Sequence, residues 1–240
     1  MDYIIIGKQR GNNFFMISLI ILNWERVDNI ISSVKKYSDY KLIDEIIVFN
    51  NNHKYRLNHI ASDKVVVIES SRDLGLYTRF SAAGLARNNC IMYCDDDLFM
   101  PEKTIEKLYA QWLKLPNVCH GVNGRMVKDL YNMAGAFGEV PVILTRCMLV
   151  SKAICLAAFN FSLCFDDLVC EPKGNGEDII LSFVAISKSG QLNRSHKLPY
   201  IELPDNEDGT SVAISKRWKN HINHRTKVLV RCRDLLGLPI

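Results

Sequence analysis

Three consecutive aspartates, Asp95-Asp96-Asp97, are the residues of this chain best suited to chemistry. They follow the apolar run at residues 91–94, which indicates a buried strand that ends in a polar turn. Alternate side chains of an extended backbone project to the same side, and three adjacent carboxylates need a cation, or a compensating arginine or lysine, to remain ionised together. Such oxygen ligands suit Mg²⁺ or Mn²⁺, with water and a substrate phosphate completing the coordination. The structural alternative is a solvated turn that caps the helix beginning at Pro101.

A second acidic group, Asn175-Gly176-Glu177-Asp178, stands at the start of a predicted helix over residues 179–186. Carboxylates at a helix N-terminus are stabilised by the helix dipole, which is a sufficient structural explanation for them. The functional alternative is that the helix holds Asp178 rigidly at a site.

The C-terminal stretch carries His221 and Arg225 four residues apart, on one face of a predicted helix. The planar guanidinium of arginine matches a phosphate, and histidine can ligate a metal or donate to a phosphate. The sequence lacks the glycine-rich phosphate and dinucleotide motifs, the nucleophile elbow and zinc-finger spacing. Metal-assisted diphosphate chemistry is therefore the sharpest hypothesis that these residues support.

Alternating strands and helices must position these groups. The hydrophobic patterns predict strands over residues 14–22, 43–49, 64–68, 91–94, 118–127 and 142–150, and helices over 27–37, 82–87, 101–115, 179–186 and 217–236. Such alternation implies right-handed βαβ units, an α/β fold and a mostly parallel sheet, which binds ligands at the carboxyl ends of its strands. The polar clusters 23–26 and 50–52, Asp73 and the three aspartates all fall at those ends.

Composition is that of one globular domain: 240 residues, 48% hydrophobic and 23% charged, with no linker-like stretch. Residues 1–13 form a segment with no usable pattern. The net charge of +4 comes largely from a basic cluster after residue 214, which suits phosphate, nucleic acid or an anionic membrane surface, or is a solvated helix face. The cluster lacks interleaved aromatic residues beyond Trp218, so no nucleic-acid partner is expected, and peripheral membrane association through this region stays open.

The eight cysteines contain no C-x-x-C pair, and several lie in apolar runs. We therefore expect buried free thiols in a reducing compartment. The chain opens with an acidic residue, and the apolar stretch 14–22 is shorter than the roughly 20 residues of a spanning helix. These features predict a cytoplasmic protein.

Taken in order, these motifs resemble the glycosyltransferase domain of exostosins and of exostosin-like N-acetylhexosaminyltransferases, glycosyltransferase family 64. The resemblance runs from about residue 14 to residue 233. It covers Asn23-x-x-Arg26, Val48-Phe-Asn50-Asn51, Leu76-Tyr-Thr-Arg79-Phe80, Asp95-Asp96-Asp97 as a D-x-D motif, Trp112-x-x-x-x-Pro116, Gly121-x-x-x-Arg125, Asn175-Gly-Glu-Asp178 and His221-x-x-x-Arg225.

The resemblance implies a GT-A fold over residues 1–240, with a mixed, mostly parallel sheet, helices on both faces and a C-terminal helix over 215–240 that closes the donor site. It implies Mn²⁺ or Mg²⁺, a UDP-N-acetylhexosamine donor, a saccharide or lipid-linked saccharide acceptor, and retention of the anomeric configuration. It assigns catalysis to Asp178, Glu177 and Arg225, and the metal to Asp97 with Asp96. Donor contacts are assigned to Arg26, Asn50, Asp73, Arg79, Asp95, Asp96, Asn175 and His221.

Two departures from the family pattern concern position 176 and position 228. The family carries a cysteine at each and joins them in a disulfide, whereas this chain has Gly176 and Val228. The membrane anchor of the animal enzymes is also absent from the sequence. Both points argue for an acceptor other than animal heparan sulfate. A non-catalytic nucleotide-sugar-binding module of the same fold, and a nucleic-acid-binding protein that uses the C-terminal helix, are the competing hypotheses.

Overall fold

The computed structural model describes residues 16–165, 175–204 and 218–239. Its six described α-helices are α1 Val27–Ser38, α2 Thr78–Leu85, α3 Glu102–Lys114, α4 Lys152–Ser162, α5 Glu177–Ser189 and α6 His221–Leu236. The strands are β1 Ile17–Asn23, β2 Ile43–Asn50, β3 Val65–Glu69, β4 Cys90–Cys94, β5 Leu98–Phe99, β6 His120–Gly121, β7 Gly124–Arg125, β8 Gly135–Ala136, β9 Gly138–Val140, β10 Val142–Ile143, β11 Cys147–Ser151, β12 Asn193–Ser195 and β13 Ile201–Glu202.

One sheet of eight strands organises the fold, in the order β3-β2-β1-β4-β11-β6-β12-β9. Its first four strands are parallel, with Asn23 opposite Asn50, Asn50 opposite Glu69 and Ile21 opposite Cys94. The carboxyl ends of these strands therefore meet at one edge. This edge holds the polar clusters that the sequence places at strand ends.

The other half of the sheet is mixed. Strand β11 runs antiparallel to both β4 and β6, β12 is parallel to β6, and β9 is antiparallel to β12. Two small sheets, β10-β7-β8 and β13-β5, lie beside it. The β13–β5 pair brings residues 201–202 against the segment that follows the three aspartates.

Helices cover both faces of the large sheet, as the sequence predicts. Alternate residues of β1 enter opposite apolar clusters: Ile20 packs with residues of α2, α4, α5 and α6, whereas Leu19 and Ile21 pack with residues of α1 and α3. Burial on both faces explains why β1 reads as a continuous apolar run.

Two predicted strands are wrong in extent. The stretch 118–127 forms only β6 and β7, and the stretch 142–150 divides into β10 and β11, which enter different sheets. Strand β6 packs closely against the start of β11 at Gly121. A Cβ atom at this position would lie 2.7 Å from the carbonyl oxygen of Cys147, so the packing requires a glycine. Helix α4 was not predicted, since its sequence is apolar around most of its circumference and shows no clear period. The predicted helix over 82–87 begins earlier, at Thr78.

The predicted C-terminal helix begins at His221 within the described residues, while 205–217, which carries part of the basic cluster, and 1–15 lie outside them. Seven cysteines are described, and all of them carry free thiols; Cys170 lies outside the described residues. Across the described ranges, no helix has both the length and the apolar character that crossing a bilayer requires.

A stacked histidine pair, His120 of β6 and His196 after β12, predicts acid sensitivity. Nε2 of His120 lies 2.9 Å from the Leu115 carbonyl oxygen and so donates to it, which leaves Nδ1 to accept from His196 at 3.1 Å. Burial first, and then the neighbouring His196 and Arg194, lower the pKa of His120 to about 4.

The folded-state pKa of His120 is thus below its unfolded value, so its stabilising contribution is present above about pH 6.5 and is lost as the pH falls towards 4. We expect the unfolding free energy to fall by about 2 kcal/mol between pH 7 and pH 5 from this group. Urea unfolding at both pH values would measure it. His120→Gln should show a weaker pH dependence, and an unchanged profile would refute the assignment.

Candidate active site

The turn after β4 holds the three aspartates, each facing a different arginine. A backbone hydrogen bond connects this turn to the residue before β11: the amide of Asp95 donates to the carbonyl oxygen of Arg146 at 2.9 Å. The three ion pairs are Arg26 Nη1–Asp96 Oδ1 at 2.6 Å, Arg79 Nη1–Asp95 Oδ1 at 3.2 Å and Arg146 Nη2–Asp97 Oδ1 at 3.3 Å. The compensating cations that three adjacent carboxylates require are therefore built into the fold.

The three carboxylates differ in exposure. The side chain of Asp96 is 10% exposed, whereas those of Asp95 and Asp97 are 29% and 28% exposed. Burial raises the pKa of Asp96 to about 7 in spite of Arg26, and it also raises the pKa of Asp97, with Asp95 as the second cause. Asp95 and Asp97 are thus the two aspartates whose carboxylates are partly open to a ligand.

Arg146 is a site residue that the sequence analysis missed. It stands in the apolar stretch 142–150, where it interrupts what reads as one strand. Burial alone would lower the pKa of its guanidinium, but Asp97 and Asp95 more than offset this, so the pKa is raised. The signal that could have found it is the need for a cation beside three carboxylates.

Arg79 joins the two acidic constellations. This α2 side chain is buried, and Nη1 lies 3.2 Å from Asp95 and 3.7 Å from Oε1 of Glu177. Glu177 also accepts a hydrogen bond from Thr145 Oγ1 at 2.9 Å. Burial raises the pKa of Glu177, and Arg79 is the largest influence that lowers it. The charged groups at the end of β4 and at the start of α5 therefore interact with the same guanidinium, that of Arg79.

Asp178 pairs with Arg225 inside the protein. Nη2 of Arg225 lies 2.7 Å from both carboxylate oxygens of Asp178, and both residues are 4% exposed. Nη1 of Arg225 donates to Asn175 Oδ1 at 3.0 Å, and Nδ2 of Asn175 lies 2.9 Å from Nδ1 of His221. The sequence motifs at 175–178 and 221–225 thus meet in one cluster.

Asp178 does more than cap α5. The residue at the N-cap position is Gly176, with φ 110°, and no side chain caps the helix there. Oδ1 of Asp178 accepts the amide of its neighbour Ile179 at 2.8 Å, and both oxygens also face Arg225. The capping explanation left open by the sequence accounts for only one of these contacts.

Tyr131, which no sequence motif indicates, completes the cluster. The guanidinium of Arg225 lies 4.2 Å from the centre of the Tyr131 ring, a cation–π contact. His221 packs edge-on against the same ring. Burial, followed by the charge of Arg225, lowers the pKa of His221 to about 4, so this histidine is neutral at pH 7.

Amide side chains tie the ends of the first strands together. Asn23 Nδ2 donates to Asn50 Oδ1 at 2.8 Å, and Asn50 Nδ2 donates to Glu69 Oε2 at 2.6 Å and to the Tyr55 carbonyl oxygen at 2.9 Å. Asn50 is fully buried, so its evident role is to position the strand ends, and a direct donor contact stays a prediction. Asp73 lies in the β3–α2 loop, where its carboxylate accepts the Gly75 amide at 2.9 Å.

Positions 176 and 228 are adjacent, as the resemblance implies. A Cβ atom at Gly176 would lie 3.1 Å from Cγ2 of Val228. Glycine and valine occupy the two places that the resembled family joins covalently, and here they make a packing contact instead.

The residues of the aspartate turn fit a divalent cation whose coordination is completed by a substrate. No group of three or more His, Cys, Asp or Glu side chains converges on one point in the described ranges. Asp95 and Asp97 are partly exposed, and Mg²⁺-like ions are commonly held by one or two carboxylates plus phosphate and water. The resemblance implies Asp96 as a metal ligand beside Asp97, whereas the structure buries the Asp96 carboxylate against Arg26.

Comparison with known proteins decides the family. The family model of the glycosyl transferase family 64 domain matches residues 17–239. The chain belongs to glycosyltransferase family 64. Glucosamine inositolphosphorylceramide transferase 1 of Arabidopsis thaliana is 26% identical over 220 residues, which are 88% of this chain and 29% of that protein. Its namesake in Oryza sativa subsp. indica is 24% identical over 232 residues, 92% of this chain and 31% of that protein.

The family 64 chain thus spans about a third of the curated relatives it matches. The names of these plant relatives contain glucosamine and inositolphosphorylceramide and do not mention exostosins, so the narrower exostosin assignment stays a prediction.

Two solved structures show the GT-A fold. GalNAc-T7 with UDP, GalNAc and Mn²⁺ superposes with a TM-score of 0.58 at 13% identity, over 91% of this chain and 48% of that one. The mannosyltransferase PcManGT from Pyrobaculum calidifontis, in complex with GDP-Man and Mn²⁺, superposes with a TM-score of 0.51 at 11% identity, over 93% and 72%. The chain is thus a glycosyltransferase family 64 domain with the GT-A fold.

Proposed function

We propose that this domain transfers an N-acetylhexosamine from a UDP-sugar to a lipid-linked acceptor, with retention of the anomeric configuration and with Mn²⁺ at the aspartate turn. One observation carries the proposal: Arg79 links Asp95 of the D-x-D turn to Glu177, whose neighbour Asp178 is paired with Arg225. In this proposal, buried charged groups connect the residues that hold the metal and the diphosphate with the residues that face the sugar.

The donor and acceptor classes draw on the relatives. The names of the plant relatives combine glucosamine with inositolphosphorylceramide, and GalNAc-T7 was solved with UDP and GalNAc. A hexosamine carried on UDP, and an acceptor with a polar head and a lipid tail, agree with these names. A saccharide without a lipid is the other acceptor class that the family admits.

Each part of the cluster has a role in the proposed reaction. Asp97 and Asp95, the more exposed carboxylates, would hold Mn²⁺, which supplies positive charge to the donor diphosphate when bound. Asp96 orients the turn through Arg26. Arg225 fixes the carboxylate of Asp178, and its Nε atom is a buried donor with no hydrogen-bond partner in the described part of the chain, suited to the departing diphosphate.

The proposed reaction breaks the bond between the anomeric carbon and the phosphate oxygen, and the electron pair leaves with UDP. The acceptor oxygen bonds the anomeric carbon. Retention arises by attack from the same face, or through a transient adduct in which an Asp178 carboxylate oxygen bonds the anomeric carbon as UDP leaves and is then displaced by the acceptor oxygen. In either route the acceptor proton passes to the phosphate. Either route places Asp178 beside the anomeric carbon, where a carboxylate stabilises developing positive charge.

Metal dependence of UDP binding tests the proposal. We expect calorimetry to show UDP bound with Mn²⁺ and UDP binding weakened by about a hundredfold, or about 2.7 kcal/mol, after EDTA treatment, because the metal would supply the positive charge that holds the diphosphate at the aspartate turn. Asp97→Asn should weaken metal-dependent UDP binding more than Asp95→Asn, because the family resemblance assigns direct ligation of the metal to Asp97.

Asp63→Asn, at an exposed aspartate outside the site, is the control and should bind as the wild type does. Equal UDP affinity with and without metal would remove the metal from the proposal. UDP binding with no cleavage of any UDP-hexosamine would instead favour the non-catalytic module.

A further inference from the structure

An apolar loop borders the catalytic cluster. The antiparallel strands β7 and β8 are joined by residues 126–134, the β7–β8 loop. Met126, Leu130 and Met133 of this loop are 53%, 68% and 49% exposed. Scattered single apolar side chains are common on protein surfaces, but several in one short loop indicate a contact surface.

The loop is fixed to α6 by contacts that do not use these three side chains. The Tyr131 amide donates to Thr226 Oγ1 at 3.1 Å, and Arg233 Nη1 donates to the Lys128 carbonyl oxygen at 2.8 Å. Val127 and Tyr131 are buried and belong to the apolar core beneath the loop. The outward side chains are therefore presented on a defined backbone, and holding the loop does not require them.

An open groove of about 830 Å³ lies between this loop and the start of α6; residues 126–133 and Ile222 line it, and its polar members are Lys128, Asp129 and Asn132. Tyr131 lines the groove and also contacts the catalytic cluster, with its ring 4.2 Å from the guanidinium of Arg225. A molecule lying in the groove would thus contact Tyr131, next to the catalytic cluster, and also the exposed apolar side chains of the loop.

Positive charge accompanies the apolar side chains. Lys128 lies in the loop beside Asp129, and Lys219 stands three residues before Ile222; all three are exposed, so two lysines stand against one aspartate. Exposed apolar groups beside lysines suit an anionic lipid surface, where burial of the apolar groups and attraction to the headgroups add together.

We propose that this groove admits a lipid-linked acceptor from a membrane surface, and that Met126, Leu130 and Met133 contact the lipid. The inference rests on the proposed function for the role of the bound molecule as acceptor, whereas the membrane contact itself is a property of the surface. The polar head of the acceptor would lie towards Tyr131, and its apolar tail would leave along the loop.

Vesicle flotation tests the contact. The 240-residue chain is mixed with phosphatidylcholine vesicles, with and without phosphatidylserine. We expect the chain to float, more so with phosphatidylserine, and Leu130→Glu/Met133→Glu to lower its partitioning by about tenfold or more, because two acidic groups enter the lipid contact. Leu113→Glu, at a 46% exposed leucine of α3, is the matched control and should float as the wild type does.

Thermal melting must accompany flotation. Because both substituted side chains are exposed, the double variant should melt near the wild type. Failure of the wild type to float, or equal flotation of the double variant, would overturn the proposal. So would a wild-type dimer in light scattering that the double variant converts to monomers, since that outcome assigns the surface to a second copy of the chain.

Cleavage of UDP-hexosamine is measured separately on the wild type. A chain that floats through Leu130 and Met133 but cleaves no donor would refute the proposed function and leave the membrane contact standing. A chain that cleaves the donor but does not float would refute the membrane contact and leave the proposed function standing.

Discussion

Asp178→Asn is expected to lower sugar transfer by about a hundredfold or more, because the variant loses the negative charge that faces the anomeric carbon in the proposed reaction. A role in helix capping alone predicts little change, since asparagine caps nearly as well as aspartate. Steady-state transfer, and slow hydrolysis of the donor without acceptor, would be measured beside UDP binding. UDP binding reports how much of the variant is folded.

The pair with Arg225 adds a second expectation for this variant. Both members of the pair are 4% exposed, so asparagine would leave a buried guanidinium opposite a neutral group, at a cost of about 3 kcal/mol or more in unfolding free energy. Assays are therefore made well below the melting temperature of the variant.

Asp28→Asn is the matched control for Asp178→Asn. Asp28 is the second residue of α1, as Asp178 is the second residue of α5, but its side chain is exposed. Only a few tenths of a kcal/mol and no loss of transfer are expected there. Transfer at a near-normal rate by folded Asp178→Asn protein would return this residue to a structural role.

The parallel half of the fold could be predicted because its signals are local. Strands β1, β2 and β4 are short apolar runs that end in polar residues, and the carboxyl ends of parallel strands must meet at one edge. The D-x-D turn was therefore placed correctly from residues 91–97 alone. Strands such as β12 and β13 have only two or three residues and are defined by their partners, so no local period announces them.

The pairing of charges could not be predicted from the sequence. Arg79 and Glu177 lie far apart in the chain, and nothing in the sequence around either residue indicates that their side chains lie 3.7 Å apart. Arg146 and Tyr131 were missed for the same reason, since each acts through a residue that is distant in the chain. Family resemblance placed Arg79 and Arg225 in the site, but only the packing of α2, α5 and α6 shows what they bind.

Arg79→Met is expected to destabilise the protein by about 3 kcal/mol or more at neutral pH, because it leaves buried Glu177 and partly buried Asp95 without their shared cation. Arg56→Met is the matched control. Arg56 lies 3.8 Å from Glu69, nearly the separation of Arg79 and Glu177, but its side chain is 68% exposed. An exposed pair contributes about 1 kcal/mol or less, so the comparison isolates the effect of burial.

The unfolding free energy lost in Arg79→Met should increase with pH. The pKa of Glu177 is already raised by burial, and removal of Arg79, the largest influence lowering it, raises it further. A carboxyl whose folded pKa exceeds its unfolded value contributes fully below the unfolded pKa, and this contribution is lost as the pH rises through the folded pKa. The difference between wild type and variant should therefore be small near pH 4.5, where Glu177 is protonated in the variant, and grow towards pH 8. Urea unfolding across that range would measure it, and a difference that stays constant would show that Arg79 acts by packing and not by charge.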